Sequence, residues 1–593
     1  MKRLAAVALL IVSCLLLVGP VNSLLSAPAG QKVAETNPAP DQLPSPKTTL
    51  RVTTTLIEVT VVAREKHGQL VTDLKQDNFE IYDEGKRQKI QFFTVQRAGS
   101  PPAQGVPPTP PASVASRTSP ARTFSNRSSE SLGPNAVTVI LIDEIDMWCE
   151  EWPWARSQIT HFLRQVQPGD RIGIYLMSWG GISVLHRVTQ DCSTLIKQLA
   201  SWKGEFGQNR RPCAYGEPLS RTNVGADFSV LLNGPEPGPG GIGVQNPYNS
   251  RFISAGNPSR DPAIRSLQIF AAIANHLAGI PGRKNLIWVS DGFPLVGQGR
   301  DPEGNWEPIS FHAYEQRTMR VVNGANVAIY SLEAEGLNTL LDEPSPSVGR
   351  LPLADAANPH PDPEMIKAVW RAISLTHLAM LDVSDRSGGR AFIDTNDLTG
   401  SIRTAFDDSH STYTLGFYPE APRFDGQFHQ IRVKVVGRPD VSLIYRKGYV
   451  DAHGTGDPKQ QLQDAVWSPL DGNGIALTAE MTPRAAGYDL ILRVGLDGLD
   501  LELDGRRRKG TVRVVLVQND DEGGRYNYLD QTLDLSLTQS MYEKMLKSGL
   551  SFRRTVAMNP KATSLRVIVV DQGSGNLGSV TIPVNEVRRG LAP

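Results

Sequence analysis

Residues 137–146 read Val-Thr-Val-Ile-Leu-Ile-Asp-Glu-Ile-Asp, an apolar run that stops on three carboxylates. Residues 284–294 read Lys-Asn-Leu-Ile-Trp-Val-Ser-Asp-Gly-Phe-Pro and stop in the same way. A continuous apolar run bounded by turn residues fits a strand buried on both faces. In a parallel sheet both strands end on one side, and ligands of open α/β sheets bind in the crevice outside those carboxyl ends. Asp143 and Asp291 are therefore predicted to converge on one rim. They supply the oxygen donors that hard cations prefer.

Outward from these two strands, residues 135–450 alternate between strand and helix patterns. Strands are predicted at 137–142, 171–178, 182–188, 285–290, 327–332 and 390–393, and helices at 154–166, 191–202, 264–277, 313–322, 364–385 and 398–408. That alternation predicts a doubly wound, mostly parallel α/β sheet. Gly180-Gly181 predicts a hairpin that sets one antiparallel strand on an edge. Stretches at 204–260 and 334–363 break the rhythm with Gly and Pro and read as insertions.

The flanks differ in pattern. Residues 50–98 alternate apolar and polar side chains around His67-Gly68 and read as a small N-terminal β domain. Residues 99–134, rich in Pro and Ser, read as a linker. Residues 460–593 read as a C-terminal β-sandwich with strands at 474–481, 487–496, 511–519, 551–557, 564–571 and 577–582 and one helix at 538–547. The fold class is thus multidomain, an α/β sheet flanked by β modules.

At 593 residues the chain is too long for one core. Lys+Arg and Asp+Glu are both 61, so the net charge is zero. A balanced charge supplies no nucleic-acid footprint and no general attraction to membranes. The N-terminus reads as an export signal over 1–27, with Lys2 and Arg3, an apolar run from Leu4 to Val18, and small residues Ser23, Ser26 and Ala27. Residues 28–49 read as a disordered lead. The mature protein is expected to be secreted or periplasmic, held at a membrane only if the signal stays as an anchor. Cys149, Cys192 and Cys213 remain after the signal, an odd number. Cys192 and Cys213 bracket 20 residues and can pair. The alternative, favoured by the lack of framework spacing, is that all three thiols are free.

The order of these elements resembles the von Willebrand factor A (VWA) domain. More narrowly it resembles secreted bacterial VWFA-related proteins of the acidobacterial type. The supporting segments are Phe79–Gly85, Pro281–Pro294, Gly388–Phe392, Tyr413–Tyr418 and Tyr445–Tyr449, which together span roughly residues 50–450. The resemblance implies a VWA/Rossmann-like sheet and a metal-ion-dependent adhesion site for Mg²⁺ or a similar divalent cation. Its first motif is Asp-x-Ser-x-Ser, which here reads Asp143-Glu144-Ile145-Asp146-Met147. Ile145 and Met147 replace both serines, Asp291 matches a later Asp, and Thr222 is the candidate for the usual threonine.

Two readings of the rim stay open. In one, Asp143, Asp291 and either Asp146 or Glu144 hold a cation whose vacant positions are filled by water. In the other, favoured because Mg²⁺ needs near-octahedral oxygen geometry, the site is degenerate and the carboxylates cap backbone amides. Carboxylates clustered without a cation repel one another, so compensation is expected from a proton or from Arg283 or Lys284. Glu144, Trp148 and Trp152 follow the first strand and are candidates for partner contact.

No nucleophile elbow, zinc-protease motif, P-loop or dinucleotide fingerprint occurs. The chain is read as an exported VWA-like binding or adhesion protein with a protein or cell-surface partner. A metal-independent envelope scaffold is the alternative, and a hydrolase ranks third.

Overall fold

The computed structural model describes residues 56–97, 123–127, 136–147, 151–167, 169–178, 181–206, 211–212, 262–293, 295–300, 306–336, 363–419, 427–450, 458–484, 487–520 and 524–589. The signal, the lead and most of the linker and of both insertions lie outside them, as do Trp148, Cys149, Cys213 and Thr222.

In chain order, β1 (Ile57–Glu65), β2 (Phe79–Asp83), β3 (Lys86–Gln88) and β4 (Phe92–Arg97) come first. Then follow β5 (Thr123–Ser125), β6 (Val137–Asp143), α1 (Trp152–Leu163), β7 (Arg171–Ser178), β8 (Gly181–Thr189) and α2 (Cys192–Ser201). Two short hairpins, β9 (Glu205–Phe206) with β10 (Arg211–Pro212) and β12 (Val296–Arg300) with β13 (Trp306–Ser310), flank α3 (Pro262–Leu277) and β11 (Lys284–Ser290). Next come α4 (His312–Gly324), β14 (Val327–Glu333), α5 (Pro363–Ser387), β15 (Ala391–Phe392) and α6 (Leu398–Asp407). The chain continues through β16 (Ser411–Phe417), β17 (Phe428–Val435), β18 (Val441–Ile444), β19 (Gly448–Val450) and α7 (Pro458–Trp467). The last stretch holds β20 (Leu477–Arg484), β21 (Gly487–Val494), β22 (Glu502–Asp504), β23 (Arg507–Asn519), β24 (Arg525–Thr538) and α8 (Gln539–Ser548). It ends with β25 (Leu550–Val556), β26 (Ser564–Asp571), β27 (Leu577–Pro583) and α9 (Val584–Arg589).

The central sheet has six strands in the order β15-β14-β11-β6-β7-β8. All neighbours are parallel except β8, which runs antiparallel to β7 at one edge. Both faces carry helices, and this is why β6, β11 and β14 are buried at every position. On one face Val139, Leu141, Leu286 and Trp288 pack against Phe270 of α3, Met319 of α4 and Met380 of α5. On the other, Ile140, Ile142, Ile287 and Val289 meet Ile159 and Phe162 of α1, Leu195 of α2 and Phe406 of α6.

Residues 50–98 do not close a domain of their own, which corrects the boundary read from sequence. β1 pairs with β16 and β18, and β2 pairs with β17. Two four-stranded sheets, β18-β1-β16-β4 and β19-β17-β2-β3, enclose one core around Val59, Val61, Ile81, Tyr413 and Leu415. Strands from both ends of the α/β region thus build one sandwich. The Pro/Ser-rich linker is corrected too: its residues Thr123–Ser125 form β5 and pair with β20 of the C-terminal module.

That module has a four-stranded sheet, β25-β21-β20-β5, and a five-stranded one built on β23, β26 and β27. They share a core of Leu477, Leu490, Leu492, Val514, Leu516 and Val567. β24, absent from the sequence reading, pairs along the whole of β23. Lys509 of β23 is paired with Asp504 of β22 at 2.7 Å.

Candidate functional site

The three middle strands end side by side. β6 and β11 are parallel with Val289 beside Ile142, and on the far side of β11 Ser290 stands beside Glu333 of β14. Asp143, Ser290-Asp291 and Glu333 therefore lie along one rim, and each of the three carboxylates is buried.

Asp143 ends β6 by turning the chain. One carboxylate oxygen accepts the amides of Ile145 and Asp146 at 2.8 and 3.1 Å, an Asx-type turn. The other accepts Trp288 Nε1 at 3.0 Å and Ser290 Oγ at 2.7 Å. Burial pushes its pKa up, against the opposing hydrogen bonds from Ser290, the two amides and Trp288. A carboxylate offers about four lone-pair directions, so these donors saturate Asp143, and a cation there has to displace one of them. Ser290 Oγ also accepts the amide of Gly292 at 2.8 Å. Gly292 has φ +79°, and a Cβ there would lie 2.9 Å from Met380 Sδ. Glycine thus lets α5 rest against the rim.

Ile145 and Met147, at the positions of the missing serines, are core residues on opposite faces of the sheet. Asp146 is 1 % exposed and Asp291 6 %, so both stand at the rim as buried carboxylates. Two expected partner contacts are corrected. Glu144 is buried, and Trp152 is fully buried, packed edge-on against Trp202 with ring centroids 4.6 Å apart. Trp152 turns inward with the core that α1 packs against the sheet.

Arg283 and Lys284 do not compensate the rim carboxylates, another correction. They lie at the amino end of β11, the opposite end from Asp291. Arg283 donates to Asn285 Oδ1, Tyr330 Oη and the Gly388 carbonyl. Lys284 Nζ donates to the Ile280 carbonyl at 2.8 Å, and burial brings its pKa down to about 7. Cys192 carries a free thiol, which burial pushes up.

Two further clusters were missed in the sequence. At the end of β14, Glu333 meets His377 of α5, Oε1 to Nε2, at 2.6 Å, and its Oε2 accepts the Asp394 amide at 2.6 Å. Between α4 and α5, Glu315 contacts His312 and Arg386, both at 3.1 Å, and Arg386 also reaches Asp382 at 2.9 Å. Burial, then the Asp382 charge, lifts Glu315 to about 7, while Arg386 and His312 pull it down. A signal for Glu315 was present: it shares the buried stripe of Thr318, Met319 and Val322 on α4.

No family model matches this chain, and no curated protein matches it. Among solved structures it is similar to the crystal structure of the pilus adhesin SpaC from Lactobacillus rhamnosus GG, at 9% sequence identity and a TM-score of 0.22. The match covers 85% of this chain and 58% of that one, so the chain spans less than two thirds of the adhesin's length. A likeness of that size fixes neither fold nor function.

Proposed function

We propose that this chain is an exported, VWA-like binding protein of the secreted bacterial VWFA-related kind, and not an enzyme, with a protein or cell surface as its partner. The observation that carries this reading is the meeting of Asp143, Asp291 and Glu333 at the carboxyl ends of three adjacent parallel strands, the edge where such sheets bind. Beside that rim, α5 exposes Leu378 and Leu381, at 60% and 41% of their surface. Exposed neighbouring apolar side chains are what partners bury. Saturation of Asp143, with Ile145 and Met147 in the core, supports recognition that needs no Mg²⁺ at this motif. No helix among the described residues is long and apolar enough to cross a membrane.

The test is co-sedimentation of the purified full chain with envelope fragments of the producing cell, with chelator present. Saturable binding that falls at least about tenfold in Leu378→Asp/Leu381→Asp, at an unchanged melting temperature, supports the rim as the recognition face. A tenfold loss corresponds to about 1.4 kcal/mol, a modest demand on two buried anchors. Binding that the double variant leaves intact defeats the rim reading and favours the envelope scaffold.

A further inference from the structure

Glu333, His377 and Asp394 come from three different elements: the end of β14, the middle of α5 and the loop after β15. One ligand atom from each lies within 4.8 Å of the other two. We propose that these three side chains bind one zinc-class divalent cation, with water in the fourth position.

The donor set fits that chemistry. Zn²⁺ takes imidazole nitrogen and carboxylate oxygen at roughly 2.0–2.2 Å, and three protein ligands with one open position is a recurrent arrangement. Tetrahedral ligands at such distances stand roughly 3.3 Å apart. The Glu333–His377 contact of 2.6 Å therefore opens by less than one bond length to admit the ion. Glu333 is preset for this. The Asp394 amide holds its Oε2, which leaves Oε1 directed at His377. Outer hydrogen bonds of this kind orient ligating carboxylates. The Asp394 side chain is exposed, with a carboxylate oxygen already within 4.8 Å of the other two ligand atoms.

Charge separates this cluster from the other His/Glu/Asp group. Around Glu315 and Asp382 a fixed cation is already in place, because Arg386 reaches both, at 3.1 and 2.9 Å. Glu333 and Asp394 meet no lysine or arginine within ion-pair distance among the described residues; the sole cationic partner of Glu333 is His377. Glu333, buried at the rim, and Asp394, exposed beside it, share a single imidazole, so the cluster carries excess negative charge. A divalent ion neutralises it, and an imidazolium alone does not.

The test is calorimetric titration of chelator-stripped full-length protein with ZnCl₂, with MgCl₂ as the comparison. One zinc per chain, a rise in melting temperature with zinc and a loss of affinity of about tenfold or more in both His377→Asn and Asp394→Asn are expected. Asp394 is exposed, so its variant decides the matter if His377→Asn does not fold. No zinc uptake by the parent chain overturns the proposal, and so does uptake that Asp394→Asn leaves unchanged. Either failure leaves the partner reading standing, since that is tested in chelator through Leu378 and Leu381.

Discussion

The two ends of strand β11 solve opposite electrostatic problems. At its amino end, Arg283 and Lys284 are buried basic side chains; beyond its carboxyl end, Asp291 joins Asp143 and Glu333 as buried acidic ones. The amino end is stitched into a closed network. Arg64 of β1 binds Asp408 at 2.6 Å, Tyr330 Oη donates to Asp408 at 2.8 Å, and Arg283 donates to Tyr330 Oη at 3.0 Å. That chain ties the first sandwich to the central sheet through satisfied polar groups, as a structural joint requires. The carboxyl end uses amides, an indole and a hydroxyl around Asp143, and leaves the Glu333 cluster without a fixed cation. One end of the sheet is built for cohesion, and the other keeps chemistry in reserve.

The largest expected effect is at the amino end. Asp408→Ala leaves the Arg64 guanidinium buried and uncompensated, a loss of about 3–5 kcal/mol by urea denaturation. A cost under about 1 kcal/mol removes the contrast between the two ends.

Lys284 sharpens the comparison from the other side, because among the described residues its charge has only the Ile280 carbonyl as a hydrogen-bond partner. Its folded pKa of about 7 lies below the ordinary lysine value of 10.5. Between those values the unfolded chain binds more protons, so stability rises with pH through that window and the cost is complete below it. Lys284→Met is expected to stabilise the protein at neutral pH by roughly 1–4 kcal/mol. It is also expected to flatten the rise in melting temperature between pH 7 and 10. A variant that keeps the full rise shows that another group titrates there.

The carboxyl rim was legible because a single local pattern encodes it: an apolar strand that stops on an acid, twice, at Asp143 and Asp291. The strand predicted at 327–332 stops one residue short of Glu333, whose partner His377 is 44 residues away on a helix. Strand partners were hidden for a similar reason. β1 alternates over residues 57–61 (Ile-Glu-Val-Thr-Val), yet its neighbours β16 and β18 are more than 340 residues distant, and period-two patterning fixes a face and not a partner. β5 offers three residues, with Phe124 as its one apolar side chain, so only the waiting edge of β20 makes it a strand. β24 did carry a signal, since Leu529, Leu533, Leu535 and Leu537 fall on alternate positions.

The smallest effect of the three tests whether the donors around Asp143 act on its charge. Ser290→Ala removes a hydrogen bond to Asp143 and the acceptor of the Gly292 amide, a loss of about 1–3 kcal/mol at neutral pH. The folded pKa of Asp143 is raised by burial, so the folded state holds its proton over a range where the unfolded chain has lost it. Stability from this group therefore falls as pH climbs above the ordinary carboxylate range. The Ser290 bond opposes that fall by favouring the anion. Without it the penalty deepens at pH 7 and shrinks at pH 4, where more of the carboxyl carries its proton in both variants. Urea denaturation at the two pH values reads the difference directly. Equal costs at both reduce Ser290 to a turn-former, and the carboxyl end then differs from the amino end in packing alone.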